Sequence, residues 1–374
     1  MLIMKKLFFL LTIGLCLFRL QVRAEFVEDS FDFTDANQDG ITLYYSYLNG
    51  NSGPVKVVLP EIWVNDYDEN QQYIGRHSEP LFYTASVIRV PAQAQGKPVT
   101  TIGDHAFMLD ANLTRVELPA SVTHIEREAF SSDSLLQYVN LESVEWIGEV
   151  AFQSCVALDS VFVPATAATW AMSVFQYAGL SRIVFDEALT AIPERMFFGC
   201  ENLKSVTLSD ALTKVGLGAF AACDSIASVQ FSASLDTLEM GAFMDAPLTE
   251  LTLPASLRYI GAMAFRNTEN LPYVTSHILA PAGVLEDMGL GVVDEETPQA
   301  DRLTIRVPVG TAALYLADEV WSKFNIVEQG DPTGFEEQHS LPASPAVRKE
   351  FRQGRLLIIR QEGTTYDPSG AKVK

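Results

Sequence analysis

Apolar and polar positions along the middle of this chain follow a pattern that returns every 22 or 23 residues. Its fixed point is a phenylalanine: Phe107, Phe130, Phe152, Phe175, Phe197, Phe220, Phe243 and Phe265. Five residues before each stands Ile102, Ile125, Ile147, Trp170, Ile192, Val215, Leu238 or Ile260. Five or six residues after stands Leu113, Leu136, Leu158, Leu180, Leu203, Ile226, Leu248 or Leu271. An apolar-x-apolar pair follows, such as Val116/Leu118, Val161/Val163 or Val206/Leu208. Period-two alternation rich in Val, Leu and Ile predicts a short strand with one face in the core. A unit this short cannot bury its own apolar face, whereas stacked copies bury a continuous column. The pattern therefore predicts a mainly β, curved parallel solenoid of about eight repeats over residues 99–276, with the phenylalanines as an internal aromatic ladder.

The rest of the repeat is equally regular. Alanine usually precedes the phenylalanine (Ala106, Ala129, Ala151, Ala219, Ala242, Ala264). Three residues after it lies a small turn position, holding Cys155, Cys200 or Cys223 in three copies and Asp110, Asp133, Ala178, Ala246 or Thr268 in the others. No His or Cys recurs beside these cysteines, so they read as buried, unreactive thiols and not as a metal or redox site. The pattern Ile-Gly-x-x-Ala-Phe-x-x-Cys-x-x-Leu-x-x-Val-x-Leu-Pro is seen in Ile102-Gly103…Ala106-Phe107…Leu118-Pro119 and in Ile147-Gly148…Ala151-Phe152…Cys155. It resembles the BspA-type leucine-rich repeat of bacterial and protozoan surface proteins. That resemblance implies a leucine-rich-repeat fold and a non-catalytic, adhesin-like role, since such relatives are associated with adhesion to host matrix proteins and with co-aggregation. The fourth copy departs from the pattern, with Trp170 and Val174 where Ile and Ala are usual.

The flanks differ from the repeats. Residues 1–24 carry a basic start (Lys5, Lys6), an apolar run from Leu7 to Phe18 and the small-x-small ending Val22-Arg23-Ala24. This is the layout of a secretory signal peptide cut before Glu25. Residues 25–98, with alternating runs at 41–45 and 55–59, read as an N-terminal β-rich cap. Residues 277–328 read as a C-terminal capping repeat, with one more strand in 303–308, a short helix over 311–318, and Trp321 and Phe324 packed beneath it. Residues 329–346 hold Pro, Gly and Ser without period and read as a linker. Residues 347–374 read as a β-meander tail with strands at 355–360 and 364–366. Its end resembles the C-terminal end of Bacteroidetes type IX sorting signals, a match limited to the final strands.

Charge and chemistry narrow the function further. The 374 residues include 26 Lys and Arg against 47 Asp and Glu, a net charge of −21 that falls to −25 once the four basic residues of the first segment are removed. Clustered cations are what phosphate binding needs, so nucleic acid is excluded as a partner. The only long apolar run is the N-terminal one, so membrane association is expected only through surface attachment. No His-Glu-x-x-His, Gly-x-Ser-x-Gly or phosphate-loop pattern occurs, and no enzymatic activity is expected. Asp35, Asn37, Asp39 and Gly40 match the start of a calcium loop, but Ser46 stands where a bidentate Glu should close it. The segment therefore reads as a turn before a strand, and no metal or cofactor is expected.

What remains is surface. Between two buried residues of a strand one points outward. The outward columns run through Glu117, Asn140, Phe162, Val184 and Thr207, and through Arg115, Tyr138, Ser160, Arg182 and Ser205. Tyr138, Phe162 and Val184 should then form an apolar cluster rimmed by Arg115 and Arg182, the composition of a protein-binding hot spot. Trp146 is a separate candidate, either exposed on the adjacent strand or folded under a loop. The reading is an exported, cell-surface or secreted protein binding an extracellular protein of host matrix or of another cell. The alternative is a glycan-binding accessory or envelope-structural protein.

Overall fold

The structure is a computed structural model that describes residues 25–26, 31–49, 53–59, 61–67, 73–80, 82–268, 270–284, 288–290, 303–330, 347–352, 355–360 and 365–366. The expected signal peptide over 1–24 and most of the expected linker lie outside the described residues. The chain forms a mainly β parallel solenoid of about nine turns, with almost no helix.

Most turns contribute two short strands. On the first face lie Val87–Arg89, Arg115–Glu117, Tyr138–Val139, Ser160–Val163, Arg182–Phe185, Ser205–Thr207, Ser228–Gln230, Thr252–Leu253, Tyr273–Ser276, Thr304–Val307 and Asn325–Glu328. On the second lie Lys97–Ile102, His124–Ile125, Trp146–Ile147, Ala191–Ile192, Lys214–Val215, Thr237–Leu238, Tyr259–Ile260 and Gly283–Val284. Neighbours pair in parallel and in the register of the repeat, Ile125 opposite Ile147 and Val161 opposite Ile183. The first face is not one ladder but four hydrogen-bonded stretches, broken after Val139, after Phe185 and after Gln230.

The eight phenylalanines are buried and stack in chain order. Successive ring centroids lie 5.1, 4.9, 5.3, 5.7, 5.3, 5.2 and 6.2 Å apart. Interplanar angles never exceed 19°. Tyr83 adds a ring beyond Phe107 at 5.2 Å, and its hydroxyl donates to the Val58 carbonyl at 2.8 Å.

The turn around each phenylalanine explains how the rungs join. The residues two before and two after it all have positive φ, from His105 and Leu109 to Met263 and Asn267. Alternating left- and right-handed residues aims every second N–H at the next rung. Thus His105, Phe107 and Leu109 donate to the carbonyls of Arg127, Ala129 and Ser131 at 3.1, 2.8 and 2.9 Å. The N–H groups between them close turns inside their own rung, as Met108 does on His105 at 3.1 Å. A β-branched Val150 at φ 51° is held this way although isolated it would avoid that region. The glycine of the Ile-Gly pair answers a different need: a Cβ at Gly261 would stand 2.3 Å from the Met240 backbone nitrogen.

The fourth copy deviates locally. A 3₁₀ helix, Ala165–Thr169, replaces its second-face strand and interrupts that ladder between Ile147 and Ala191. Trp170 is nevertheless buried, with its ring 6.5 Å from Phe175, so the core column continues through it. At the C-terminal end strand Thr304–Val307, helix Ala312–Ala317 and buried Trp321 and Phe324 close the solenoid. The tail strands Val347–Arg352, Arg355–Arg360 and Thr365–Tyr366 form an antiparallel meander.

Candidate functional site

The first strand face carries the residues singled out from the sequence. Phe162 stands directly opposite Val184, and Ser160 opposite Arg182. Both apolar side chains are part-exposed and Arg182 is exposed. Tyr138, 37% exposed, lies on the preceding rung, across a gap in the hydrogen-bonded ladder.

Arg115 is held in place. Its guanidinium carbon sits 3.8 Å from the Tyr138 ring centroid and its Nε donates to Glu117 at 2.9 Å. Glu117 also accepts from Arg89 Nε at 3.1 Å, and Arg89 Nη1 donates to Asp39 at 2.9 Å. The Arg115 hydrogen bond, ahead of the nearby Arg89 charge, holds the Glu117 carboxyl below its ordinary range. Burial raises the Tyr138 hydroxyl. Exposed ion pairs of this kind add little stability. Their effect is to fix the cation over the ring, so that less side-chain freedom is lost when a ligand arrives.

Asn140, on the same outward column, is otherwise engaged. Its Oδ1 accepts the Leu118 N–H at 2.7 Å and its Nδ2 donates to the Leu118 carbonyl at 2.9 Å. The side chain thus completes the ladder and faces the neighbouring rung. A second cation over a ring lies at the far end of the face, with Arg306 3.7 Å from the Tyr273 centroid. Extending the outward columns through the last repeat was the signal that could have found it.

The calcium-loop segment is used by the protein itself. Asn37 Oδ1 accepts from the N–H groups of Asp39 and Ile41, both at 2.9 Å, and Asn37 Nδ2 donates to the Arg89 carbonyl at 3.0 Å. Asp35 accepts the Gln95 N–H at 2.9 Å. Among the described residues no group of three or more His, Cys, Asp or Glu side chains could hold a metal ion. The three described cysteines are free and buried, each S–H donating to the phenylalanine carbonyl of a preceding rung at 3.1–3.3 Å. Burial pushes the Cys155 and Cys200 thiols well up and that of Cys223 to about 12, which suppresses the thiolate needed for redox or metal chemistry.

The model of the BspA type leucine rich repeat region matches residues 81–198 and 168–279, in six copies and over more than half of the chain. No curated protein matches the chain. Among solved structures, a leucine-rich repeat protein from Bacteroides ovatus is 20% identical, with 74% of this chain and 71% of that chain covered at a TM-score of 0.47. A leucine rich cell surface protein from Faecalibacterium prausnitzii is 17% identical, with 81% and 96% covered and a TM-score of 0.35. The T. pallidum leucine rich repeat protein is 21% identical, with 67% and 81% covered and a TM-score of 0.33. No enzymatic family is indicated. The repeat, its stacked rings and its inter-rung turns belong together, and this chain is a member of the BspA-type leucine-rich-repeat family.

Proposed function

We propose that this protein is exported and works at the cell surface or in the medium as a non-catalytic, adhesin-like binding protein. Its ligand is an extracellular protein, of host matrix or of another cell, held on the first strand face. One observation carries this reading: Tyr138, Phe162 and Val184 remain accessible on rigid neighbouring rungs, with Arg115 clamped over one end and Arg182 exposed at the other. Protein interfaces take most of their energy from a few aromatic and Arg anchors of this kind, and adjacent contacts mainly exclude water. The fixed backbone supports the same function, because the surface need not order itself on binding. Export rests on the 1–24 segment, and the tail would serve attachment or sorting.

Phe162→Asp tests the site. The residue is part-exposed, so the fold will survive, while a carboxylate in the middle of the patch will weaken binding to immobilised extracellular-matrix proteins by about 2 kcal/mol or more. A folded variant that binds like the unaltered protein would show that the patch is misassigned.

A further inference from the structure

The second strand ladder carries an aromatic site that differs in kind from the patch above. Trp146 is 37% exposed there, directly opposite His124, with ring centroids 6.3 Å apart and planes at 38°. His124 Nδ1 lies 2.9 Å from Thr123 Oγ1. The ladder stops at this point. The next rung presents the 3₁₀ helix Ala165–Thr169, tied down by the Thr166 hydroxyl, which donates to the Val144 carbonyl at 2.8 Å. The indole therefore sits at the end of a ladder and beside a step in the surface.

We propose that Trp146 and His124 form a carbohydrate subsite that takes a neutral hexopyranose of a linear glycan, with the sugar's C–H face on the indole. The surroundings decide the ligand class. The solvent-reaching residues at neighbouring positions are mostly polar: Thr123, His124, Glu145 and Thr169 are part-exposed or exposed, with Ala168 part-exposed on the 3₁₀ helix. A protein hot spot needs apolar neighbours to exclude water, as Phe162 and Val184 provide for each other on the other face. A pyranose needs one flat aromatic for its apolar face and polar side chains for its belt of hydroxyls, and the indole's amphipathic ring suits that. Charge decides between glycans. Without residues 1–24 the chain carries −25, and Glu145, the exposed residue before Trp146 in the sequence, adds to that field, so an anionic sugar is disfavoured against a neutral one. Neighbouring rungs lie about 4.8 Å apart, close to the advance of one sugar along a linear glycan, so consecutive sugars would meet His124 and Trp146 in turn.

The site is independent of the protein-binding patch, and the test keeps the two apart. The protein from residue 25 onward is applied to immobilised neutral oligosaccharides (cello-, manno- and chito-series) and to anionic ones. At least one neutral linear oligosaccharide will bind. Binding will fall about tenfold or more in Trp146→Ala, will be partly retained in Trp146→Phe, and will be unchanged in Phe162→Asp. Adding the same free oligosaccharide will shift the tryptophan emission of the unaltered protein. The subsite is overturned if no neutral oligosaccharide binds, if only anionic glycans bind, or if folded Trp146→Ala binds as well as the unaltered protein.

Discussion

Phe220→Ala will lower the stability of the solenoid by about 3–5 kcal/mol. Phe220 is fully buried and stacks on both neighbours, on Phe197 at 5.3 Å and 13° and on Phe243 at 5.2 Å and 7°. Truncation removes the ring from the core and leaves a cavity that rungs fixed by backbone hydrogen bonds can close only in part. It also removes two aromatic pairs, each worth about 0.5–1.5 kcal/mol beyond its buried area. Stability in a solenoid is close to a sum over rungs and their nearest-neighbour interfaces, so an interior ring weakens two interfaces at once. Thr207→Ala, at an exposed position of the first face, is the control and will stay within about 0.5 kcal/mol. Urea midpoints measure both. A smaller urea slope in Phe220→Ala would show the two halves of the stack melting separately, whereas an unshifted midpoint would mean that the rings do not hold the rungs together.

Asp133→Asn will make the protein more stable at neutral pH and will flatten its dependence on pH. Asp133 and Asp110 occupy, in the first two repeats, the turn position that holds cysteine in three others, and both are buried. Asp133 Oδ1 accepts the Asp110 N–H at 2.8 Å, and Asp110 Oδ1 accepts from Asn112 and Leu113 at 2.8 and 3.1 Å. The Oδ2 atom of each has no hydrogen-bond partner. Burial outweighs these bonds, raising the Asp110 carboxyl and pushing that of Asp133 from 3.8 up to about 9. The fold therefore prefers the protonated acid. Its contribution is fully present below the unfolded value of 3.8 and is lost as pH rises toward about 9. The slope is about 1.4 kcal/mol per pH unit for one proton. Asparagine fills the same space without a charge to desolvate. Urea midpoints of the two proteins, from mildly acidic to mildly alkaline pH, should diverge as pH rises. Parallel profiles would show that Asp133 is hydrated or compensated in the folded protein.

The stack itself was legible because its cause is local: eight rings at one spacing, each with Ile, Leu or Val at fixed offsets, leave a single way to bury them all. The same reasoning placed Phe162 opposite Val184 and Arg182 two residues before Val184, since register follows from the repeat. Other features depend on neighbours that no single copy reveals. Val150, Tyr177 and Arg195 are left-handed because three inter-rung hydrogen bonds per turn require it, and nothing in their side chains announces this. Tyr83 extends the ladder from outside the periodic block, in a rung whose other marks are missing. The 3₁₀ helix after Pro164 was foreshadowed only by the irregular fourth copy, yet it is what leaves Trp146 at the end of a ladder. The chain of ion pairs from Asp39 through Arg89 and Glu117 to Arg115 joins residues far apart in sequence and becomes visible only once the rungs are aligned.

Pulsed electron-spin distances test the rung order most directly. Gln137, Ser181, Lys204 and Thr249 form an exposed column just before the first-face strands. Single cysteines there accept spin labels while the buried native thiols do not. With one label at Gln137, the distance to the second should grow in the order Ser181, Lys204, Thr249, by about 4.8 Å for each rung crossed. A Thr249 distance no longer than that to Ser181 would contradict the stacked arrangement, and with it the binding face that those rungs support.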